Sequence, residues 1–201
     1  SQIYNFKINY EQVLARMGAN KFKTRIDEKT ESAIKETLDN VQKLLQPGYA
    51  IAYADKVISD GKINADGLII ESSDIMKLLN NSQKLCGFVA TIGNALDQKI
   101  ELLQKNDKTT AFIYDAAGSV AIEQLVTAVN NEIKNSNPDF ILTKRFSVGY
   151  GDWKIENQKG FLKWLGAEKI GITLSETFQM SPRKSVSAII GLIPLKIKRR
   201  F

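Results

Sequence analysis

The sequence predicts an α+β fold: a single domain with a mixed, largely antiparallel sheet and flanking helices. Three observations carry this. Helical and strand patterns come in clusters, not in the strict alternation that builds a parallel sheet. The 201 residues contain no long Pro/Gly/Ser linker, repeat or low-complexity tract, which suits one core. Neither G-x-G-x-x-G nor G-x-x-x-x-G-K-[ST] occurs, so the glycine-rich loop of a nucleotide-binding α/β domain is missing.

The elements follow in order. IYNFKI (3–8) is a short strand candidate, and YEQVLARMG is a short helix closed at Gly18. Ile34, Leu38, Val41 and Leu45 recur at helical spacing, which predicts a helix from Glu28 to Leu45, with Asp27 at its front and Pro47-Gly48 beyond its end. YAIAYADKVI is a strand, SDGK a turn and GLIIES another strand. SSDIMKLLNNS opens with capping chemistry and predicts a short helix. KLCGFVATIG is too apolar to show a period and predicts a buried strand.

NALDQKIELLQKN is a helix, and a second long helix runs from Thr109 to about Lys134, with Ile113, Ala117, Val120, Leu125, Val129 and Ile133 inside. Gly118 within it costs about 1 kcal/mol relative to alanine, which points to close helix packing. FILTKRFSV is strand-like, and IENQKGFLKWLGA is a helix closed by Gly166. IGITLSETF and SVSAIIGLI are strand candidates separated by the turn material QMSPRK.

Composition excludes several chemistries. One cysteine, Cys86, permits no internal disulfide and lies in an apolar stretch as a buried small hydrophobe. The absence of histidine rules out a His-based triad or base and, with one cysteine, any ordinary zinc site. Carboxylates such as Asp66 and Glu71 read as surface charges. No apolar run reaches the ~18 residues of a membrane span, and the first residues carry no apolar signal region, so the expectation is a cytoplasmic protein without a membrane partner. The net charge of +6 is concentrated in the basic tail 195–201; without Lys196, Lys198, Arg199 and Arg200 there remain 24 basic against 22 acidic residues. That near balance argues against a nucleic-acid binder.

RFSVGYGDW (145–153) fits neither the helical nor the strand period. Arg145 offers a planar fork for a carboxylate or phosphate. Gly149 and Gly151 let the backbone approach a ligand, and Tyr150 and Trp153 offer faces for a flat base or a cation. The same residues would also suit a tight turn with its aromatics packed inward. TLSETFQMSPRKSVSAIIG (173–191) reads as a strand end and a polar hairpin.

Taken together, these runs resemble the activation (reactivation) domain of cobalamin-dependent methionine synthase. Its R-x-x-x-G-Y motif is met by Arg145, Gly149 and Tyr150; its L-T-E-S-F-like run by Leu174, Ser175, Glu176, Thr177 and Phe178; its S-V-S segment by Ser185, Val186 and Ser187. FVATIGNALDQKI and DAAGSVAIEQL also resemble family segments, so the likeness covers roughly residues 84 to 193.

The resemblance implies S-adenosylmethionine binding by Arg145, Ser147 (through its backbone), Gly149 and Tyr150, with Asp139, Gly151, Trp153 and Glu176 as further candidates. It implies a methyltransferase accessory role in methionine biosynthesis: reductive remethylation of a cobalamin carried by a partner, with no catalytic residue of the chain's own. The implied partners are the cobalamin-binding module of methionine synthase or another corrinoid protein, and a flavodoxin- or ferredoxin-type electron donor. Val148 departs from the family, where proline is frequent. The Asp-x-His-x-x-Gly cobalamin motif and the cysteines of the zinc–homocysteine module are absent. An alternative expectation is a docking module for another corrinoid methyltransferase with weak or no S-adenosylmethionine binding.

Overall fold

The computed structural model describes residues 6–19 and 26–195. All strand pairing in it is antiparallel. The central sheet has four strands in the order β1 (Gly48–Asp55), β5 (Lys84–Thr91), β9 (Ser185–Pro194) and β6 (Phe140–Leu142). A three-stranded sheet of β2 (Val57–Ser59), β3 (Lys62–Ala65) and β4 (Leu68–Ile70) and a two-stranded ribbon of β7 (Thr173–Leu174) and β8 (Met180–Ser181) stand beside it. The α+β class is as expected, but three antiparallel sheets replace the one mixed sheet.

The middle strands β5 and β9 pair along eight residues, Lys84↔Leu192 through Thr91↔Ser185. Their period of two sorts side chains to opposite faces. Cys86, Phe88, Ala90, Ala188 and Ile190 face four helices: α1 (Tyr10–Arg16), α2 (Glu28–Leu44), α4 (Ala95–Asn106) and α5 (Lys108–Ser136). Leu85, Val89 and Ile189 face the other way, onto α3 (Ser73–Leu78), α6 (Gln158–Leu165), the small sheet and the loop holding Trp153. On this second face Gly87 leaves the room that the rings of Trp164 and Phe161 occupy.

The long helices form where the periodicity places them. Asp27 caps α2 by accepting from the Thr30 N–H at 2.8 Å, and Asp107 caps α5 likewise at 3.0 Å. Ala117, Val120, Leu125, Val129 and Ile133 of α5 are buried, and a side chain at Gly118 would collide with Leu96 of α4. By length and hydropathy α5 is the one membrane-capable helix among the described residues, yet 67% of that window is packed inside the fold as a core helix.

Several strand expectations are corrected. Residues 6–9 form no strand, and the remainder of IYNFKI lies outside the described residues, as does nearly all of the basic tail. YAIAYADKVI breaks at Lys56, so β1 and β2 enter different sheets. KINA, not anticipated, is β3. FILTKRFSV contributes three residues to β6 before its pairing is interrupted, and IGITLSETF contributes two to β7.

Candidate functional site

The interruption after β6 shapes the site. Leu142 pairs with Leu192, and the next bridge joins Phe146 to Ile189. Four residues advance on this edge while three advance on β9, so one residue is extra, as in a β-bulge. Thr143 bridges the gap: its N–H donates to the Gly191 carbonyl, and its Oγ1 accepts from the Gly191 N–H, both at 2.9 Å. Phe146 and Ile189 then exchange backbone bonds of 3.0 and 2.8 Å. Arg145 lies within this irregular stretch. Beyond Ile189, toward Ser185, β9 has no strand partner among the described residues on the side away from β5.

The chain next turns back on itself. The Gly149 N–H donates to the Trp153 carbonyl at 2.8 Å, and the Trp153 N–H to the Tyr150 carbonyl at 3.1 Å. Gly149 (φ 88°) and Gly151 (φ 54°) occupy the left-handed region that glycine tolerates best. Trp153 is 1% exposed and packs edge to face on Phe161, with centroids 5.2 Å apart. The loop is thus plugged into the second core, which leaves the Tyr150 side chain 69% exposed.

A cavity of about 650 Å³ lies between this loop, the start of β9 and the β7–β8 hairpin. That volume is within the usual range for small-molecule sites. Arg145, Ser147, Val148 and Tyr150 line one side, and Phe178, Gln179 and Met180 another. Ser185 to Ala188 form the β9 edge, and Gln158 and Glu123 reach in from α6 and α5. Gln158, 3% exposed, donates through Nε2 to Ser187 Oγ at 2.9 Å, fixing two buried polar groups in the cavity wall.

The two cavity arginines differ. Arg183 is held: its backbone N–H donates to Asp97 Oδ2 at 2.6 Å, and its guanidinium Nε lies 3.6 Å from Oδ1 of the same buried carboxylate. Lys184 beside it is tied to Asp115 and Ser119, each at 2.8 Å. Arg145 has no carboxylate within ion-pair distance among the described residues, and neither does Glu123 a cation. Phe178, at φ 60°, is a non-glycine residue in the left-handed region. It is held there by a hairpin in which Ser175 Oγ accepts from the N–H groups of Thr177 and Gln179. Strain of this kind gathers at binding and catalytic sites.

The sequence-predicted residues divide accordingly. Arg145, Ser147 and Tyr150 line the cavity, and Gly149 shapes their loop. Trp153 offers no ring face there, because the second core absorbs it. Gly151 approaches Asp74 instead. Glu176 is exposed in the hairpin turn, and Asp139 is exposed at the start of β6, where its carbonyl accepts from the Leu195 N–H; neither lines the cavity. Sequence reasoning missed Glu123, Gln158 and Arg183. Glu123 had no signal of its own, being one of three carboxylates, with Asp115 and Glu132, on a largely apolar helix.

No family model and no curated protein matches the chain. Among solved structures, the MetH reactivation domain bound to AdoHcy superposes with a TM-score of 0.64 at 16% identity, over 92% of this chain and 70% of that one. The chain has the fold of the MetH reactivation domain. At such low identity that agreement concerns the path of the backbone. In this reactivation-domain fold, the cavity is built from the bulge, the glycine loop, the hairpin and the β9 edge.

Proposed function

We propose that the chain binds S-adenosylmethionine in this cavity and presents its sulfonium methyl for reductive remethylation of the cobalamin of methionine synthase, carried by a partner domain or protein. The observation that carries the reading is Arg145: a guanidinium with no carboxylate partner among the described residues, in a bulged stretch at a cavity that also contains a carboxylate and an exposed aromatic ring. S-adenosylmethionine presents a carboxylate, two cationic groups and a flat base. The AdoHcy bound by the structural neighbour, which lacks only the methyl, supports the same ligand class.

Arg145 receives the carboxylate through its fork. Glu123 faces the cationic end, where the ammonium and sulfonium are attracted to it. Tyr150 and the backbone of Ser147 and Gly149 pack along the adenosine. The partner's cobalamin, reduced by an electron from a flavodoxin- or ferredoxin-type donor, would supply the nucleophile. The methyl leaves sulfur without the S–C electron pair, which stays behind and renders the sulfur neutral. No proton moves, so the task of this chain is to hold the methyl in line. Loss of the sulfonium charge weakens attraction to Glu123, which favours substrate over product.

Isothermal titration calorimetry tests this. Saturable heat with S-adenosylmethionine that Arg145→Ala diminishes, with the melting curve unchanged, is the expected result. No heat with the unmodified chain contradicts the reading and leaves a docking module.

A further inference from the structure

On the far side of the cavity loop, Asp152 reaches across to α3. Its carboxylate accepts from Ser72 Oγ at 2.5 Å, from the Ser73 N–H at 2.7 Å and from Ser73 Oγ at 2.6 Å, with the Asp74 N–H more distant at 3.4 Å. The contact is reciprocal, since the Asp152 N–H donates to Asp74 Oδ2 at 3.3 Å. Gly151 lies so close that a Cβ there would collide with the Asp74 carboxylate. These donors hold the Asp152 carboxyl well below the usual carboxylate range, so it stays ionised near neutral pH.

Helix α3 has only six residues, too few to persist by propagation alone. It is held at both ends by charges of the sign its dipole favours. Asp152 meets its N-terminal donors, and Lys56 Nζ donates to the carbonyls of Leu79 and Asn80 beyond its C-terminus at 2.6 and 3.0 Å. Ser72 completes the front by accepting from the Ile75 N–H at 3.0 Å. The loop and the helix are each short, and each is completed by the other.

We propose that Asp152 is a positioning residue: it clamps the loop 147–153 from behind, so that the loop and α3 order as one unit and the cavity wall carrying Ser147 and Tyr150 is preorganised. Asp152 does not line the cavity, so its effect passes through the loop backbone. The role of the clamp in ligand affinity rests on the S-adenosylmethionine reading; the shared ordering does not.

Amide hydrogen exchange on the full chain separates the two. Without ligand, Asp152→Ala is expected to speed exchange in both 72–76 and 148–151, while α5 keeps its protection. Ser73→Ala, which removes one donor and leaves the carboxylate, is expected to do the same more weakly, and covers the case in which Asp152→Ala does not fold. Faster exchange in 72–76 alone would make Asp152 a simple helix cap and overturn the proposal. With S-adenosylmethionine, the unmodified chain is expected to gain protection in 72–76, a segment outside the cavity. Asp152→Ala is expected to lose that gain and bind about tenfold more weakly. An unmodified chain that shows no binding contradicts the ligand assignment, while the ligand-free comparison still decides the clamp. Unchanged affinity in an Asp152→Ala protein with a loosened loop would overturn the preorganising role.

Discussion

The two faces of the central sheet are built differently. On one, α1, α2, α4 and α5 cover Cys86, Phe88, Ala90, Ala188 and Ile190 with regular helical stripes. On the other, short helices, a small sheet and irregular loops pack around Trp153, Phe161 and Ile189. The first face is held by repetition: many similar apolar contacts along the helical stripes. The second is held by particular side chains, namely Trp153 as a plug, Asp152 as a clamp and Thr143 as a bridge across the bulge. The cavity opens where this second construction meets the free edge of β9. A binding surface needs polar groups left without internal partners, and a regular stripe of core residues provides few of them.

The widest gap between the faces should appear on removal of Trp153. Trp153→Ala empties a fully buried site and is expected to cost about 3–5 kcal/mol in denaturant unfolding. It should also abolish S-adenosylmethionine binding in the fraction that remains folded, because the loop loses its plug. Leu125→Ala in the helical face should cost a comparable ~2–5 kcal/mol yet leave affinity unchanged. If the two variants affected binding alike, the contrast between the faces would fail.

Arg145→Ala should show the reverse pattern. Stability is expected to stay within about 0.5 kcal/mol, since no carboxylate among the described residues pairs with it. Affinity should fall by roughly 10- to 150-fold, the range for a charge-assisted hydrogen-bonded pair. Glu123→Gln tests the sulfonium. The unmodified chain should prefer S-adenosylmethionine over S-adenosylhomocysteine by a few-fold, a small factor because Glu123 is exposed and screened. The variant should lose that preference in competition calorimetry.

The pH dependence separates the faces with the smallest effects. Burial pushes the Cys86 thiol up to about 12, from an ordinary 9.0. The folded form therefore binds this proton more tightly, so its contribution is full below pH 9 and declines as the pH rises from about 9 toward 12. Native protein at pH 8 should resist alkylation at Cys86 until it unfolds. Asp152 has the opposite sign, because its carboxyl is held low. Its contribution is present above the ordinary aspartate range and declines as the pH falls below it. Hydrogen exchange in acid should loosen 72–76 before α5.

Legibility in the sequence followed the same division. The stripe of α2 and the buried α5 positions could be read from spacing, and Asp27 marked the start of α2 and Gly166 the end of α6 as expected. Where a particular contact decides, pattern was silent. RFSVGYGDW showed an arginine, glycines and rings in one place, yet only the packing shows that Tyr150 faces out while Trp153 faces in. Nothing local to Asp152 pointed to Ser72 and Ser73, eighty residues away in the chain. The bulge that displaces Arg145 depends on the register of β6 against β9, which spacing within one strand does not encode. Gln158 lies within the predicted helix IENQKGFLKWLGA with nothing in the sequence to single it out, and only the fold buries it beside Ser187.

The central claim is that this cavity grips an adenosyl amino acid by its carboxylate. A crystal structure with S-adenosylhomocysteine tests it most directly. The account predicts ligand density between Tyr150 and the β9 edge, with the carboxylate on the Arg145 guanidinium. Density bound elsewhere, or a ligand in the cavity with its carboxylate turned away from Arg145, would contradict it.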